Sequence, residues 1–396
     1  MNLRTRRKKV VNETDTTASY KPKNKSVPPR VALWCVAGTT VLWVITHIGG
    51  SNLFDAHSYS LADSVAHSYL LPDSVPCSSS KEAVEIESND ETCKSLPVIR
   101  PTCEFEIDNK IGKAVSREGL DPKFAVGSYY AEKAPYHMNT DKDNFSLIKE
   151  FIHGRKEKGG IALDFGANQG FYTYYLATLG LDVHSFEINE RNFKCLQHGV
   201  DFNPKEISDR VNLYRVGVGD INGRFSMRGS DYEGYLKLDS KNGQILGTKI
   251  DCFVDHMKGH LDLSKIAFIK LDVEGFEIAV LKGGQNSLFK LGHSTIETMI
   301  MEVGPNRWDR ASISFETGVE EMVKLSKLFK TSYLLARASG SHTKTCPGSL
   351  GDVLKDKDPR AVGGVRVFKI QRDEWGDLMK VMKEKGFDCN FFYENK

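Results

Sequence analysis

The sequence predicts an α/β fold built on a mostly parallel sheet, with a single apolar segment ahead of it. Three observations predict this. From about residue 105, short apolar runs alternate with amphipathic stretches, the texture of strand–helix units. Ile161–Phe165 leads directly into a glycine-containing turn and then an apolar helix. Acidic residues recur at the carboxyl ends of predicted strands, the edge at which open α/β sheets bind their ligands.

The chain has 396 residues and is 40% hydrophobic, which supplies a sizeable core and excludes wholesale disorder. Residues 1–30 carry nine Lys/Arg against Glu13 and Asp15. The remainder holds 45 basic and 50 acidic residues, so the folded part offers no basic footprint for nucleic acid. Residues 31–48 (VALWCVAGTTVLWVITHI) form an 18-residue run without a formal charge, inside the ~17–25 residues that cross a bilayer as a helix. No Lys or Arg follows until Lys81. The positive-inside rule then predicts a basic cytoplasmic tail over 1–30 and a transmembrane signal-anchor over 31–50. Everything later falls on the far side, a single-pass type II membrane protein of the Golgi or another secretory-pathway lumen. The alternative is a cleaved signal peptide, disfavoured by the long basic region and the lack of a convincing small-x-small site.

Residues 51–104 read as a stem or linker, because AHSYSLADSV at 56–65 is repeated almost unchanged as AHSYLLPDSV at 66–75. Ten residues are too few for a solenoid unit. Eight cysteines are too few for a disulfide scaffold, and no C-x-x-C pair points to zinc. Seven of them (Cys77, Cys93, Cys103, Cys195, Cys252, Cys346, Cys389) follow the predicted anchor, where an oxidising lumen permits disulfides and an odd count leaves a thiol over. Asn144-Phe145-Ser146 is a glycosylation sequon.

The domain over 105–396 has its core at 150–305. Ile161–Phe165 is a buried strand, followed by the turn Gly166-Ala167-Asn168-Gln169-Gly170 and a helix over 171–179. Asp182–Phe186 is a second strand, with a helix over 190–200 striped by Phe193, Leu196 and Val200. Further strands are predicted at 211–216, Ile266–Leu271 and 298–303, with a helix over 276–281. Stripes at Val319, Met322 and Val323 and at Trp375, Leu378, Met379 and Met382 predict two packing helices. Residues 388–393 (DCNFFY) supply a last strand, expected antiparallel.

Four acids sit at strand ends: Asp164, Glu187, Asp272 and Glu302. A dinucleotide fingerprint would place glycines where Asn168 and Phe171 stand, and Phe171 would crowd the close helix contact. Asn168 still supports a positive-φ turn. Glu187, 21 residues after Gly166, is placed to accept both ribose hydroxyl protons. A ligand with a ribose but no phosphate fits, and S-adenosylmethionine is the candidate.

These residues resemble the cofactor motifs of FkbM-type methyltransferases. The resembling blocks are Leu163–Gly170, Phe186-Glu187-Ile188-Asn189, Gly217-Val218-Gly219-Asp220, the run Phe268 to Glu277 (FIKLDVEGFE) and Met301-Glu302-Val303. The resemblance implies a Rossmann-like class I methyltransferase fold, a seven-stranded sheet with helices on both faces. It also implies that Asp164, Gly166, Asn168 and Gly170 hold the methionine part, Glu187 the ribose, and Gly219 and Asp220 the adenine, with Asp272 facing the transferring methyl. Ile188 stands where the family often has proline, and 335–365 reads as an insertion.

Asp272 is the expected base or acceptor-orienting group, with Glu274 beside it as the second catalytic candidate. Glu274 and Glu277 are spaced to share a helical face, and Glu277 is also spaced to pair with Lys270 or Lys282. No metal site is assigned; a divalent ion between Asp272 and Glu302 is the alternative. The acceptor is expected to be a glycan hydroxyl in the secretory lumen. A lipid or small metabolite acceptor, or an inactive cofactor-binding module, are the competing readings.

Overall fold

A computed structural model describes residues 123–128, 142–155, 159–229, 234–257, 266–290, 296–337, 346–362 and 364–395, isolated positions 262 and 264, and backbone strand pieces at 84–85, 97–98 and 113–115. The predicted tail, anchor and tandem decamer lie outside the described residues. Among the described residues no helix is long and apolar enough to cross a membrane.

Among the described residues, thirteen strands form the two larger sheets. The main strands are β1 (Ile161–Phe165), β2 (Asp182–Phe186) and β3 (Val211–Tyr214). A smaller group follows: β4 (Gly217–Gly219), β5 (Gly223–Arg228), β6 (Tyr235–Leu238) and β7 (Ile245–Lys249). The chain returns with β8 (Ile266–Leu271), β9 (Ile296–Val303), β10 (Thr331–Arg337), β11 (Arg360–Val362), β12 (Val365–Lys369) and β13 (Cys389–Glu394). The large sheet runs β11-β12-β10-β13-β9-β8-β1-β2-β3. From β9 to β3 every pairing is parallel, and β13 is antiparallel to both β9 and β10, as residues 388–393 predicted. The strand order reverses between β1 and β8, the switch point at which such sheets bind ligands.

The expectation of seven strands is corrected to nine. Residues 360–369, which begin inside the segment read as an insertion and run past its end, form the antiparallel hairpin β11–β12 and extend the sheet beyond β10. The second sheet, β6-β5-β7-β4, went unpredicted because its strands are largely half-exposed and mix Arg, Lys and Ser with few apolar residues.

Helices cover both faces. On one side lie α1 (Lys142–His153), α2 (Phe171–Thr178) and α3 (Glu190–Phe202); on the other α4 (Ile250–His256), α5 (Glu277–Gly283), α6 (Phe315–Ser326) and α7 (Trp375–Lys385). The central strands alternate between the two cores: Leu163, Phe165, Ile269 and Leu271 face one, Ala162 and Phe268 the other. Helix α2 is apolar all round and its first seven residues are buried, so it carries little amphipathic signal. Both predicted stripes reach the core, with Met322, Leu378, Met379 and Met382 fully buried.

The sequon does not survive folding. Asn144 is 6% exposed, and its Nδ2 donates to the Tyr172 hydroxyl at 3.0 Å, so the folded domain offers no acceptor amide there. Cys346 and Cys389 form a disulfide between two buried positions, tying the start of β13 to the segment after β10. Cys252 is also disulfide-bonded, and Cys195 is a buried thiol.

Phe186 closes β2 against three rings, Phe165, Tyr214 and Phe253, with centroids 5.0, 4.8 and 4.9 Å away. Its loss leaves a cavity directly beneath the Glu187 turn. Phe186→Ala is expected to lower unfolding free energy by about 3–5 kcal/mol, measured by urea denaturation with an unchanged m-value.

Candidate active site

The site begins with a backbone contact. Gly166 has φ 81°, and a Cβ there would stand 1.8 Å from the Asp272 carbonyl oxygen. Only glycine lets the β1 turn lie against the turn that follows β8. Asn168 takes φ 53°, the positive-φ conformation predicted for it, and Gly170 has φ 95° at the start of α2. The two loops are also joined laterally. The Gly166 and Ala167 amides donate to the Phe186 carbonyl at 3.0 and 2.9 Å, and the Asp272 amide donates to the Phe165 carbonyl at 3.1 Å.

Glu187 is 6% exposed, with Oε2 accepting from the Asn168 amide and Oε1 from the Asn189 amide, both at 2.7 Å. Burial pushes its carboxyl up to about 7, against the pull of those two amides. Asn189 caps α3, accepting from the Arg191 and Asn192 amides at 2.9 and 3.1 Å. That cap fixes the chain's exit from the Glu187 turn.

The turn Asp272-Val273-Glu274-Gly275 departs from the helical expectation. Helix α5 starts only at Glu277, and Glu274 lies before it at φ 56°, so Glu274 and Glu277 share no helical face. Glu277 pairs with neither lysine. Its Oε1 accepts from the Val273 and Gly275 amides at 3.2 and 2.9 Å, closing the turn from inside. The left-handed Glu274 backbone is braced from outside by two arginines. Arg307 bonds the Glu274 carboxylate, and Arg310 donates to its carbonyl at 2.8 Å while standing 3.5 Å from its carboxylate. Arg307 also pairs with Glu302 and Asp388, each at 2.8 Å. Burial works to lower the Arg307 guanidinium, but Glu302, Glu274 and Asp388 more than offset it, so it stays charged.

Lys270, named from the sequence only as a partner for Glu277, belongs to the site instead. Its side chain is 7% exposed, and Nζ donates to the Gly166 carbonyl at 2.5 Å. The same nitrogen stands 3.4 Å from Asp272 and 3.7 Å from Asp164, above the Tyr172 ring at 5.5 Å. Its position at alternation register in β8, two residues before Asp272, was the available signal. Arg307 had none, because its reach to Glu274 depends on how the chain folds after β9.

A pocket with about 610 Å³ of empty space, part of it open to solvent, lies over the switch point, lined by Gly166, Asn168, Glu187, Asp272 and Glu274 among others. Its apolar walls are Ile188, Val216, Val218, Leu236 and Phe276. Four predicted cofactor residues are elsewhere. Asp164 is fully buried behind the wall, accepting from the Thr173 hydroxyl at 2.6 Å, and burial raises its carboxyl even with Lys270 nearby. Gly170 is packed against Leu196 and Tyr174. Gly219 and Asp220 line a neighbouring groove, which shares Val218, Leu236 and Phe276 with the cavity.

The cavity fits an adenosyl cofactor with an amino-acid tail. The Asn168 side-chain oxygen is buried without a hydrogen-bond partner and belongs to a cavity-lining residue, a place for an amino donor. The glycine cradle and the Glu187 carboxylate stand on either side of it. Asp272, Glu274 and Glu302 offer carboxylate oxygens within 4.8 Å of one another, and Arg307 pairs with two of the three, Glu274 and Glu302. Burial and the Asp272 charge drive the Glu302 carboxyl well above the usual carboxylate range.

Gly166→Ala is expected to separate the two loops, because neither the Asp272 backbone nor the positive φ yields. A fall of several degrees in the thermal midpoint, together with loss of S-adenosylmethionine binding heat in calorimetry, checks it.

Residues 164–327 match the methyltransferase FkbM domain. No curated protein matches the chain. Among solved structures, the chain is similar to a SAM-dependent methyltransferase from Agrobacterium tumefaciens at 10% identity, covering 72% of this chain and 71% of that one, with TM-score 0.35. The METTL16 methyltransferase domain is similar at 11% identity, covering 64% of this chain and 66% of that one, with TM-score 0.32. The glycopeptide N-methyltransferase MtfA with S-adenosyl-L-homocysteine is similar at 11% identity, covering 64% of this chain and 90% of that one, with TM-score 0.24. These likenesses are remote, and the assignment rests on the domain match together with the cavity. The chain carries a methyltransferase FkbM domain over residues 164–327 and is an S-adenosylmethionine-dependent methyltransferase.

Proposed function

We propose that the protein is an O-methyltransferase held by a type II membrane anchor, acting on a glycan hydroxyl in the lumen of the Golgi or another secretory compartment. The observation that carries the reading is Asp272, a carboxylate that lines the cofactor cavity and stands within 4.8 Å of the carboxylate oxygens of Glu274 and Glu302. A neutral hydroxyl is a poor nucleophile unless its proton is taken, and a carboxylate at the edge of the methyl-donor cavity meets that need. Glu274 is held by two arginines, so it serves the turn and Asp272 serves the acceptor. The buried Cys346–Cys389 disulfide supports an oxidising compartment, where glycans are the abundant hydroxyl acceptors. The uncharged run at 31–48 behind nine basic residues supports the tether and its orientation.

S-adenosylmethionine, when bound, supplies a methyl group on a sulfonium. Asn168 and the backbone of the Gly166 turn hold the methionine part, and Glu187 accepts the ribose hydroxyls. Ile188, Val218, Leu236 and Phe276 enclose the adenine with apolar surface. Asp272 would accept the proton that the acceptor hydroxyl gives up on methylation. Holding acceptor and methyl in line supplies much of the rate, a term worth up to ~7–11 kcal/mol.

Three outcomes are expected. Glu187 titrates at about 7, and its ionised form is the one that accepts two hydroxyl protons, so cofactor affinity rises as pH passes from 6 to 8. Glu187→Gln should weaken binding and flatten that dependence in calorimetry across the same range. Asp272→Asn should lower kcat by about 10²–10⁴, read as initial rates of methyl transfer. Full-length protein given labelled S-adenosylmethionine and secretory glycans should place label on a sugar oxygen; label found only on lipids or small metabolites would overturn the acceptor class.

A further inference from the structure

We infer that the groove beside the cofactor cavity binds the non-reacting part of the acceptor, and that this acceptor is a neutral oligosaccharide longer than one sugar. The inference rests on the proposed glycan chemistry and adds to it the length and charge of the substrate. By the same measure as the cavity's 610 Å³, the groove holds about 1560 Å³ of empty space, open to solvent along one side. It shares Val218, Leu236 and Phe276 with the cavity, so the two are separated by one wall of side chains.

Arg310 joins the two spaces. Its guanidinium reaches Glu274 at the turn behind Asp272, and it also lies over the Tyr235 ring at 4.7 Å on the groove side. A ligand whose hydroxyl stands at Asp272 therefore continues past Arg310 into the groove. The remaining lining selects its chemistry. Ile221 and Leu238, 41% and 55% exposed, are the exposed large hydrophobic residues among the described ones, and both line this groove. Apolar side chains held open beside a catalytic cavity mark a binding surface. The floor is not continuously apolar, because Lys237, Lys282, Asp220 and Asp309 interrupt it, which suits no acyl chain.

The charges also speak against a polyanion. Lys282 pairs with Asp220 at 3.5 Å and Arg310 with Glu274, and the one further lysine of the lining, Lys237, is matched in number by Asp309, so the groove carries no excess of positive charge. A surface of apolar patches alternating with paired charges matches sugar rings, which offer C–H faces to the first and hydroxyls to the second. A neutral oligosaccharide satisfies all of these features, with its terminal unit at Asp272 and the following units along Tyr235 and Leu238.

The test uses the full-length protein with labelled S-adenosylmethionine. One sugar is supplied as a methyl glycoside, and as the terminal unit of a disaccharide and a trisaccharide. The expected result is a rise in kcat/KM of about tenfold or more from the single unit to the trisaccharide, carried mainly by KM. In Ile221→Asp and Leu238→Asp that ratio should fall toward one, with cofactor binding heat in calorimetry reporting that the variants fold. Sugars methylated equally well at every length would overturn the groove and leave the glycan reading standing. So would a length gain that both substitutions leave intact, since the gain would then arise elsewhere. No transfer to any sugar would overturn both.

Discussion

Everything in the site depends on the approach of two loops at Gly166 and Asp272. The β1 turn and the β8 turn meet backbone to backbone, at a separation where a single added carbon would stand 1.8 Å from a carbonyl oxygen. This contact sets the distance between the part of the cavity that holds the donor and the part that receives the acceptor. Lys270 reinforces it electrostatically, donating to the Gly166 carbonyl and standing between Asp164 and Asp272. Two carboxylates at the end of neighbouring parallel strands would repel each other across a poorly solvated gap; one buried ammonium between them turns the repulsion into a clasp. The Asp164 carboxylate, which never reaches the cavity wall, then acts by holding Thr173 and Lys270, and through them the turn.

A second clasp works on the acceptor side. Arg307 gathers Glu274, Glu302 and Asp388 from three separate elements: the β8 turn, strand β9 and the entry to β13. Asp388 precedes Cys389, whose disulfide anchors the start of β13. The disulfide thus lies next to the residue, Asp388, whose ion pair with Arg307 belongs to the same cluster that braces the Glu274 turn. Glu277 completes the arrangement from the interior by accepting two amides of the same turn. Glutamates 274 and 277 share a motif but divide its labour, one turned outward to arginines and one inward to the backbone.

The central fold was legible in the sequence because buried parallel strands are nearly continuous apolar runs. Ile161–Phe165, Asp182–Phe186 and Ile266–Leu271 have the bounds that their sequences predict. The positive φ at Asn168 followed from its place in a glycine turn, and the antiparallel last strand from its position in chain order. Strands β4 to β7 escaped because a half-exposed sheet leaves no apolar run to read, and β11–β12 because an edge hairpin looks like an insertion until it pairs. Within the site, Glu187, Asn168 and Asp272 line the cavity where the motifs put them, whereas Asp164 and Gly170 act from behind it. Sequence motifs report which residues a turn needs; they do not separate those that touch the ligand from those that hold the turn.

That distinction explains why the groove and the cavity carry different kinds of information. The cavity is walled by turns whose glycines, caps and ion pairs leave little freedom, since moving any one disturbs the Gly166–Asp272 contact. The groove is walled by β6, the loop after β4 and the helical turn Pro305–Ala311, elements that meet the cavity through a few shared side chains. Ile221 and Leu238, on its open side, make no part of the β1 or β8 turns, unlike Arg310 of the helical turn, which braces Glu274. Under the proposed reading, the large sheet carries the donor site and the smaller sheet the choice of acceptor. Arg310 is where the two are coupled, because it braces the Glu274 turn with one edge and covers Tyr235 with its face. A ligand that displaced the Arg310–Tyr235 stack would act on the brace of the same turn that carries Asp272, which in the proposed mechanism couples filling of the groove to placement of the base.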